Sequence, residues 1–74
     1  MVSYKKLWVL LAERELEGKY LKDVVNLDQQ IYTKLRRNQY VSLKTLERIA
    51  ISLKVQIGDL VEVITTDENE KETT

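Results

Sequence analysis

The 74-residue chain contains no cysteine, no histidine and no proline. Without cysteine it can form neither a disulfide framework nor a thiolate metal site. Without histidine it lacks the commonest metal ligand and the usual general base, so we expect no metal site, no cofactor and no enzymatic activity. The absence of proline fits a mostly helical chain with short turns.

Long apolar runs are absent as well. No stretch approaches the length of a membrane-spanning helix, and the N-terminus lacks the pattern of a signal peptide. These two absences predict a cytoplasmic protein that does not contact a membrane. The length allows one domain with a modest core, which dimerisation would help to stabilise.

The formal net charge is zero, but the charges are unevenly distributed. Residues 67–74 hold four carboxylates and one lysine, whereas the other 66 residues hold 11 basic and 8 acidic side chains. Lys34, Arg36 and Arg37 lie close together, and no carboxylate occurs between Asp28 and Glu47. We therefore expect one domain over residues 1–66 and a disordered acidic tail over 67–74, with basic charge concentrated where a phosphate contact would need it.

Apolar residues recur at helical spacing through most of the chain, which predicts an all-α fold. The expected elements are a compact set of five helices with a short C-terminal strand. Ser3 is the expected N-cap of the first helix, and Gly18 the expected stop or turn after it. The predicted helices run from Tyr4 to about Glu15, from Tyr20 to Val25, from Asp28 to about Arg37, from Leu43 to Leu53, and as a short helix or helical turn from Gln56 to Leu60. The β-branched segment Val61–Thr65 predicts the strand or an extended arm.

The segment from Leu21 to Leu35 is the most informative part of the chain. It predicts two short helices joined by a tight turn at Asn26, a residue that tolerates left-handed backbone. The second helix begins at an N-cap, Asp28, and continues with two glutamines. Glutamine can bond an adenine edge through both atoms of its amide, and arginine can hold phosphate, so this helix suits a DNA major groove.

Residues 4–63 resemble the lambda repressor and Cro-type helix-turn-helix family. Three segments carry the resemblance: Tyr4-Lys-Lys-Leu-Trp8-Val-Leu-Leu, Leu27-Asp-Gln-Gln-Ile-Tyr-Thr-Lys-Leu35, and Val41-Ser-Leu-Lys-Thr-Leu46-Glu-Arg-Ile49-Ala50 followed by Gln56-Ile-Gly-Asp-Leu60. The resemblance implies a transcriptional regulator, a repressor in our reading, that binds double-stranded DNA. It would bind an inverted repeat as a homodimer. The resemblance places the base-contacting positions on Gln29, Gln30, Thr33 and Lys34.

The end of the predicted recognition helix supplies the expected contacts to the DNA backbone, from Arg36, Arg37, Asn38, Gln39 and Tyr40. These residues could equally form a solvated helix end favoured by the helix dipole. The expected dimer contacts are Val61, Val63 and Ile64, with Val61–Thr65 pairing as a strand across a two-fold axis. The alternative is an arm that folds back on its own domain.

The chain departs from the family pattern at Lys22, Asn26, Ile31 and Tyr32. Lys22 stands where the family prefers a small residue, and we expect its ammonium to point outward while its stem packs. We expect Tyr32 to enter the core and Ile31 to lie partly exposed beside the groove. Ile31 and the zero net charge also leave open a protein-interaction module on the same fold, such as an antitoxin, antirepressor or anchoring domain. No small-molecule ligand is evident.

Overall fold

A computed structural model describes residues 1–65. The disorder predicted for 67–74 lies outside them. In chain order the elements are strand β1 (Val2–Ser3), helices α1 (Lys5–Glu13), α2 (Lys19–Asp23), α3 (Gln29–Arg36) and α4 (Leu43–Leu53), a 3-10 helix (Ile57–Asp59) and strand β2 (Glu62–Val63). None of the helices up to residue 65 combines the length and the hydropathy of a membrane-spanning segment.

The fifth element is one 3-10 turn over Ile57–Asp59, which is the helical turn that the sequence left open beside a short helix. Its first backbone N–H, from Gln56, donates to the Asp59 carboxylate at 3.1 Å, which closes the turn locally. The chain is extended again at β2, so no further helical turn is added. Up to residue 65 the fold is therefore four α-helices with a two-stranded sheet, and the all-α, five-helix description is corrected to that extent.

The sheet joins the two ends of the described chain. β1 and β2 run antiparallel, with Val2 opposite Val63 and Ser3 opposite Glu62. β1 was not predicted, because Ser3 was expected to cap α1. Tyr4 occupies the N-cap position instead, although the Ser3 hydroxyl still accepts a hydrogen bond from the Lys5 N–H at 3.2 Å. β2 therefore folds back on its own domain, which is the alternative that the sequence left open.

Side-chain caps fix the starts of α3 and α4. The Asp28 carboxylate accepts from the Ile31 N–H at 3.0 Å, and the Ser42 hydroxyl accepts from the Thr45 N–H at 3.1 Å. Each bond satisfies a backbone donor that the first turn of a helix leaves without a partner. The bounds of both helices consequently agree with the sequence prediction to within one residue.

A residue with left-handed backbone follows each of the helices α1, α2, α3 and α4. The φ angles are 59° at Glu15, 67° at Asn26, 57° at Asn38 and 60° at Lys54, and only Asn26 was predicted. Gly18 is different, because its φ is −56° and it stands before α2. A Cβ at Gly18 would overlap the Tyr32 hydroxyl. A side chain at this position would have to displace that hydroxyl. Gly18 lies in the turn before α2, which is one of its two predicted roles, and it is not the stop of α1.

The core receives fully buried side chains from each of the four α-helices, including Leu7 of α1, Leu21 of α2, Leu35 of α3 and Ile49 of α4. On α3, the fully buried Leu35 marks the centre of the face that packs on the core. Ile31 and Tyr32 flank it and are both half-buried. The predicted partial exposure of Ile31 is confirmed, whereas Tyr32 enters the core only in part.

Tyr32 and Ile31 reach different neighbours. The Tyr32 ring meets the half-buried Trp8 edge to face, with the ring centroids 6.0 Å apart and the planes at 81°. Ile31 lines a shallow groove with Val41 and Thr45. Because α3 lies between α1 and the start of α4, it needs an apolar side chain on each flank.

Tyr4 links the start of α1 to the loop that follows α3. Its backbone N–H donates to Asn38 Oδ1 at 3.0 Å, and its hydroxyl donates to the Gln39 carbonyl at 2.8 Å. Only 1% of Tyr4 is exposed. Burial raises the pKa of the Tyr4 phenol above its ordinary value, the neighbouring Tyr40 adds to the rise, and a hydrogen bond with the Val41 backbone opposes it.

This raised pKa makes the contribution of Tyr4 to stability depend on pH. Its stabilising effect is complete below the pKa of the unfolded chain, near 10, and is lost as pH rises from there through the folded-state pKa. At pH 7 we expect Tyr4→Phe to lower the free energy of unfolding by about 1–2 kcal/mol, since the partly buried Gln39 carbonyl loses its hydrogen-bond donor. Above pH 10 the difference between the two proteins should shrink.

Chemical denaturation of both proteins at a series of pH values measures this difference, and pH effects that the two proteins share cancel. A gap that stays constant from pH 7 to pH 11 would show that the Tyr4 proton is not held by the fold.

Candidate nucleic-acid interface

The turn between α2 and α3 is fixed from inside the domain. The Leu27 N–H donates to the Leu21 carbonyl at 3.0 Å, which closes the turn around the left-handed Asn26. Arg48 of α4 reaches across and donates to the carbonyls of Val25 and Asn26, at 2.7 and 3.4 Å. These carbonyls follow a short helix and lack partners in it, so the arginine satisfies them and ties the turn to α4.

The outer face of α3 is polar and carries no negative charge. Helical periodicity places one set of side chains opposite Leu35. Within that set Thr33 is half-buried, and the others are exposed: Gln29, Gln30, Lys34 and Arg37, the last at the C-cap. The structure thus brings all four sequence-predicted base-contact positions onto one face and adds Arg37 to them.

Two hydrogen bonds hold the Gln29 side chain on this face. Its Oε1 accepts from the Lys22 ammonium at 3.2 Å, and its Nε2 donates to the Thr33 hydroxyl at 3.2 Å. The same ammonium lies 5.0 Å from the centroid of the Tyr32 ring. Lys22 was expected only to point its charge outward, and it was not among the predicted site residues. The one signal was its position, where the family prefers a small residue.

The two arginines at the end of α3 have different surroundings. The Arg36 guanidinium lies over the Trp8 ring, 5.2 Å from its centroid, so it is turned towards α1. Arg37 lies on the outer face with the glutamines. Both residues were predicted to contact the DNA backbone, and that assignment stays a prediction. Both are exposed, but only the Arg36 guanidinium contacts an aromatic ring of α1.

The loop after α3 makes hydrogen bonds within the domain. Asn38 Oδ1 is bonded to the Tyr4 N–H, and the Gln39 carbonyl is bonded to the Tyr4 hydroxyl. Tyr40 is 71% exposed. Sequence reasoning missed the role of Asn38, although an asparagine just past a helix end is a recognised signal for left-handed backbone. The predicted phosphate contacts from Asn38, Gln39 and Tyr40 remain predictions.

The predicted dimer residues lie at the sheet. Val61 is half-buried, while Val63 and Ile64 are exposed. The Ile64 N–H donates to the Met1 carbonyl at 2.9 Å, so one edge of this segment is already occupied within the chain. In a two-stranded sheet the other edge of β2 faces away from β1, and the dimer assignment stays a prediction that concerns that edge.

Comparisons with known proteins agree with this geometry. Residues 6–66 match the model of the Cro/C1-type HTH DNA-binding domain. The crystal structure of the transcriptional regulator VanUg (Form II) is similar, with a TM-score of 0.84 and 35% sequence identity over 88% of this chain and 87% of that chain. No curated protein matches the sequence. The family model covers most of the chain, including the whole helix-turn-helix unit, and the chain belongs to the Cro/C1-type helix-turn-helix DNA-binding domain family.

Proposed function

We propose that this protein is a sequence-specific transcriptional regulator that reads the DNA major groove with α3. The observation that carries the proposal is the composition of the outer face of α3. Two amides, a hydroxyl and two cations lie together on a helix whose opposite face is anchored in the core. Amides and cations at this spacing can bond the edges of adenine and guanine.

Charge around α3 supports the same reading. Between Asp28 and Glu47 the chain has the four basic residues Lys34, Arg36, Arg37 and Lys44 and no carboxylate. The Asp28 carboxylate is engaged as the α3 cap. Phosphate attraction supplies most of the sequence-independent affinity of DNA-binding proteins, so the local charge matters more than the net charge of zero.

The regulator would act as a repressor that occupies an inverted repeat as a homodimer. A single α3 contacts few base pairs, whereas two copies related by a two-fold axis can place their helices in successive major grooves about 34–36 Å apart. Repression follows from occupancy alone, because a bound dimer excludes other proteins from the same DNA. We further infer that the protein acts by binding and not by catalysis, since the chain offers no histidine or cysteine for nucleophile–base chemistry.

A protein-interaction module is the second candidate. Val24 and Ile51 are 62% and 69% exposed and line a shallow groove with Val25, Arg48 and Ser52. Apolar side chains exposed together can mark a surface for another protein. Gel-shift titration against genomic fragments separates the candidates. The regulator retards some fragments at moderate salt, whereas an interaction module retards none.

The first prediction concerns base reading by Gln30, which is exposed on the outer face of α3. Gln30→Ala should cost about 1–3 kcal/mol on sites selected from a randomised DNA library and little on random DNA. Thermal melting should be unchanged, because the side chain packs against nothing that the fold needs. Equal weakening on selected and random DNA would show that this amide does not read bases.

The second prediction separates the two arginines. Arg37→Ala should weaken binding to all sequences and reduce the slope of log K against log salt by about one unit. Arg36→Ala removes the same charge one residue away but also the contact with Trp8, so it should lower the free energy of unfolding by about 0.5–1 kcal/mol. Salt titrations and denaturation of both variants test this. If the two variants behave alike in both measurements, the assignment of their surroundings is wrong.

The third prediction concerns the dimer. Val63 is 75% exposed on β2, and a strand with an open edge tends to find a partner. Val63→Asp should shift the protein towards monomer in sedimentation and lower its affinity for an inverted repeat, with helical content retained. Val9→Asp, the same change at an exposed position on α1, is the control. A wild-type protein that sediments as a monomer at high concentration and still binds its site tightly would contradict the dimer.

A further inference from the structure

The Gln29 amide makes contacts that fix which of its ends is which. A lysine ammonium has only donors, so it can bond the oxygen of the amide and never the nitrogen. Lys22 Nζ lies 3.2 Å from Gln29 Oε1, and on the other side Gln29 Nε2 donates to Thr33 Oγ1 at 3.2 Å. A carboxamide held between an obligate donor and a hydroxyl acceptor has one preferred orientation.

Lys22 is itself held in place. Its ammonium lies over the face of the Tyr32 ring, 5.0 Å from the centroid, where the ring attracts a cation. The Tyr32 ring is in turn held by its edge-to-face contact with Trp8 and by the close approach of its hydroxyl to Gly18. The position of the ammonium is therefore set by a ring of α3 that contacts α1 and the residue before α2, and not by the flexible lysine stem alone.

We propose that Lys22 is a positioning residue for base recognition: it sets the donor–acceptor order that the Gln29 amide presents to a base pair. The proposal rests on the proposed function of α3. The amide keeps one lone pair on oxygen and one hydrogen on nitrogen after its contacts with Lys22 and Thr33. An adenine edge needs one acceptor and one donor in a fixed order, N6–H to oxygen and N–H to N7.

An amide that is free to flip loses this selectivity. It can turn its nitrogen towards the acceptors of guanine or its oxygen towards the donor of cytosine, as well as bond adenine. A bidentate amide–adenine pair discriminates by roughly 5- to 150-fold against the wrong base. Lys22 raises this discrimination by orienting the Gln29 amide, without contacting the base itself. Loss of Lys22 should therefore relax the base preference at the base pair that Gln29 reads.

The test has two arms, and the first needs no DNA. In the free protein, Lys22→Met should move the side-chain Nε2 resonances of Gln29 and lower their order parameter, while those of Gln30 stay in place. Lys19→Met is the matched control, because it removes the same charge from the same helix, and among residues 1–65 Lys19 has no ion pair other than that with Glu17, at 4.0 Å. Gln29 resonances that respond equally to both changes would overturn the orienting contact.

In the second arm, wild type and variants select sites from one randomised duplex library, and the base preference is read position by position. Lys22→Met and Gln29→Ala should relax the preference at the same base pair, by roughly threefold or more. The double variant should match Gln29→Ala alone, since the two residues act as one unit. Lys22→Arg, which still donates and still stacks on Tyr32, should restore the preference.

Three results would overturn the proposal. One is a uniform loss of affinity in Lys22→Met with every base preference intact, which would make Lys22 a cation for phosphate only. Another is relaxation at a different base pair from that of Gln29, which would make Lys22 a base reader itself. A wild-type protein without any base preference would remove the proposed function and the specificity role together, and the resonances of the first arm would still show whether Lys22 orients the amide.

Discussion

The placement of α3 depends on the junction that Tyr4 makes with the loop after it. Two hydrogen bonds, to Asn38 Oδ1 and the Gln39 carbonyl, attach that loop to the start of α1. Arg48 fixes the other end of the helix by bonding the turn carbonyls before it. Because α3 has only eight residues, its own hydrogen bonds could not hold it at a defined angle. Contacts from α1 and α4 supply that constraint and leave the outer face free.

Because of this arrangement, neighbouring residues make contacts of different kinds. Arg36 packs on Trp8 and Arg37 faces outward, although the two are adjacent in the chain. Lys22 lies between the packed ring of Tyr32 and the outward amide of Gln29, so it connects the interior to the reading surface. A small domain has few residues that serve only the core or only the site, and a substitution in either set can affect both.

The parts of the fold that depend on local chemistry could be predicted from the sequence. Asp28 and Ser42 cap α3 and α4 through bonds to residues three positions away, and Asn26 adopts its left-handed turn through its own backbone preference. What depends on distant contacts was not predicted. β1 forms only because Val63 pairs with Val2, and space at Gly18 is short only because the hydroxyl of Tyr32, on a later helix, approaches it. Glu15 and Lys54 gave no sign of left-handed backbone, since neither residue type favours it.

The central claim is that the outer face of α3 is the surface that meets DNA, and mapping that contact on the protein tests it directly. Two-dimensional NMR spectra recorded while a library-selected duplex is added would report each residue separately. We expect the largest changes at the side chains of Gln29, Gln30 and Arg37, and small changes around Val24 and Ile51. Changes concentrated at Val24 and Ile51, with the α3 side chains unmoved, would contradict the account.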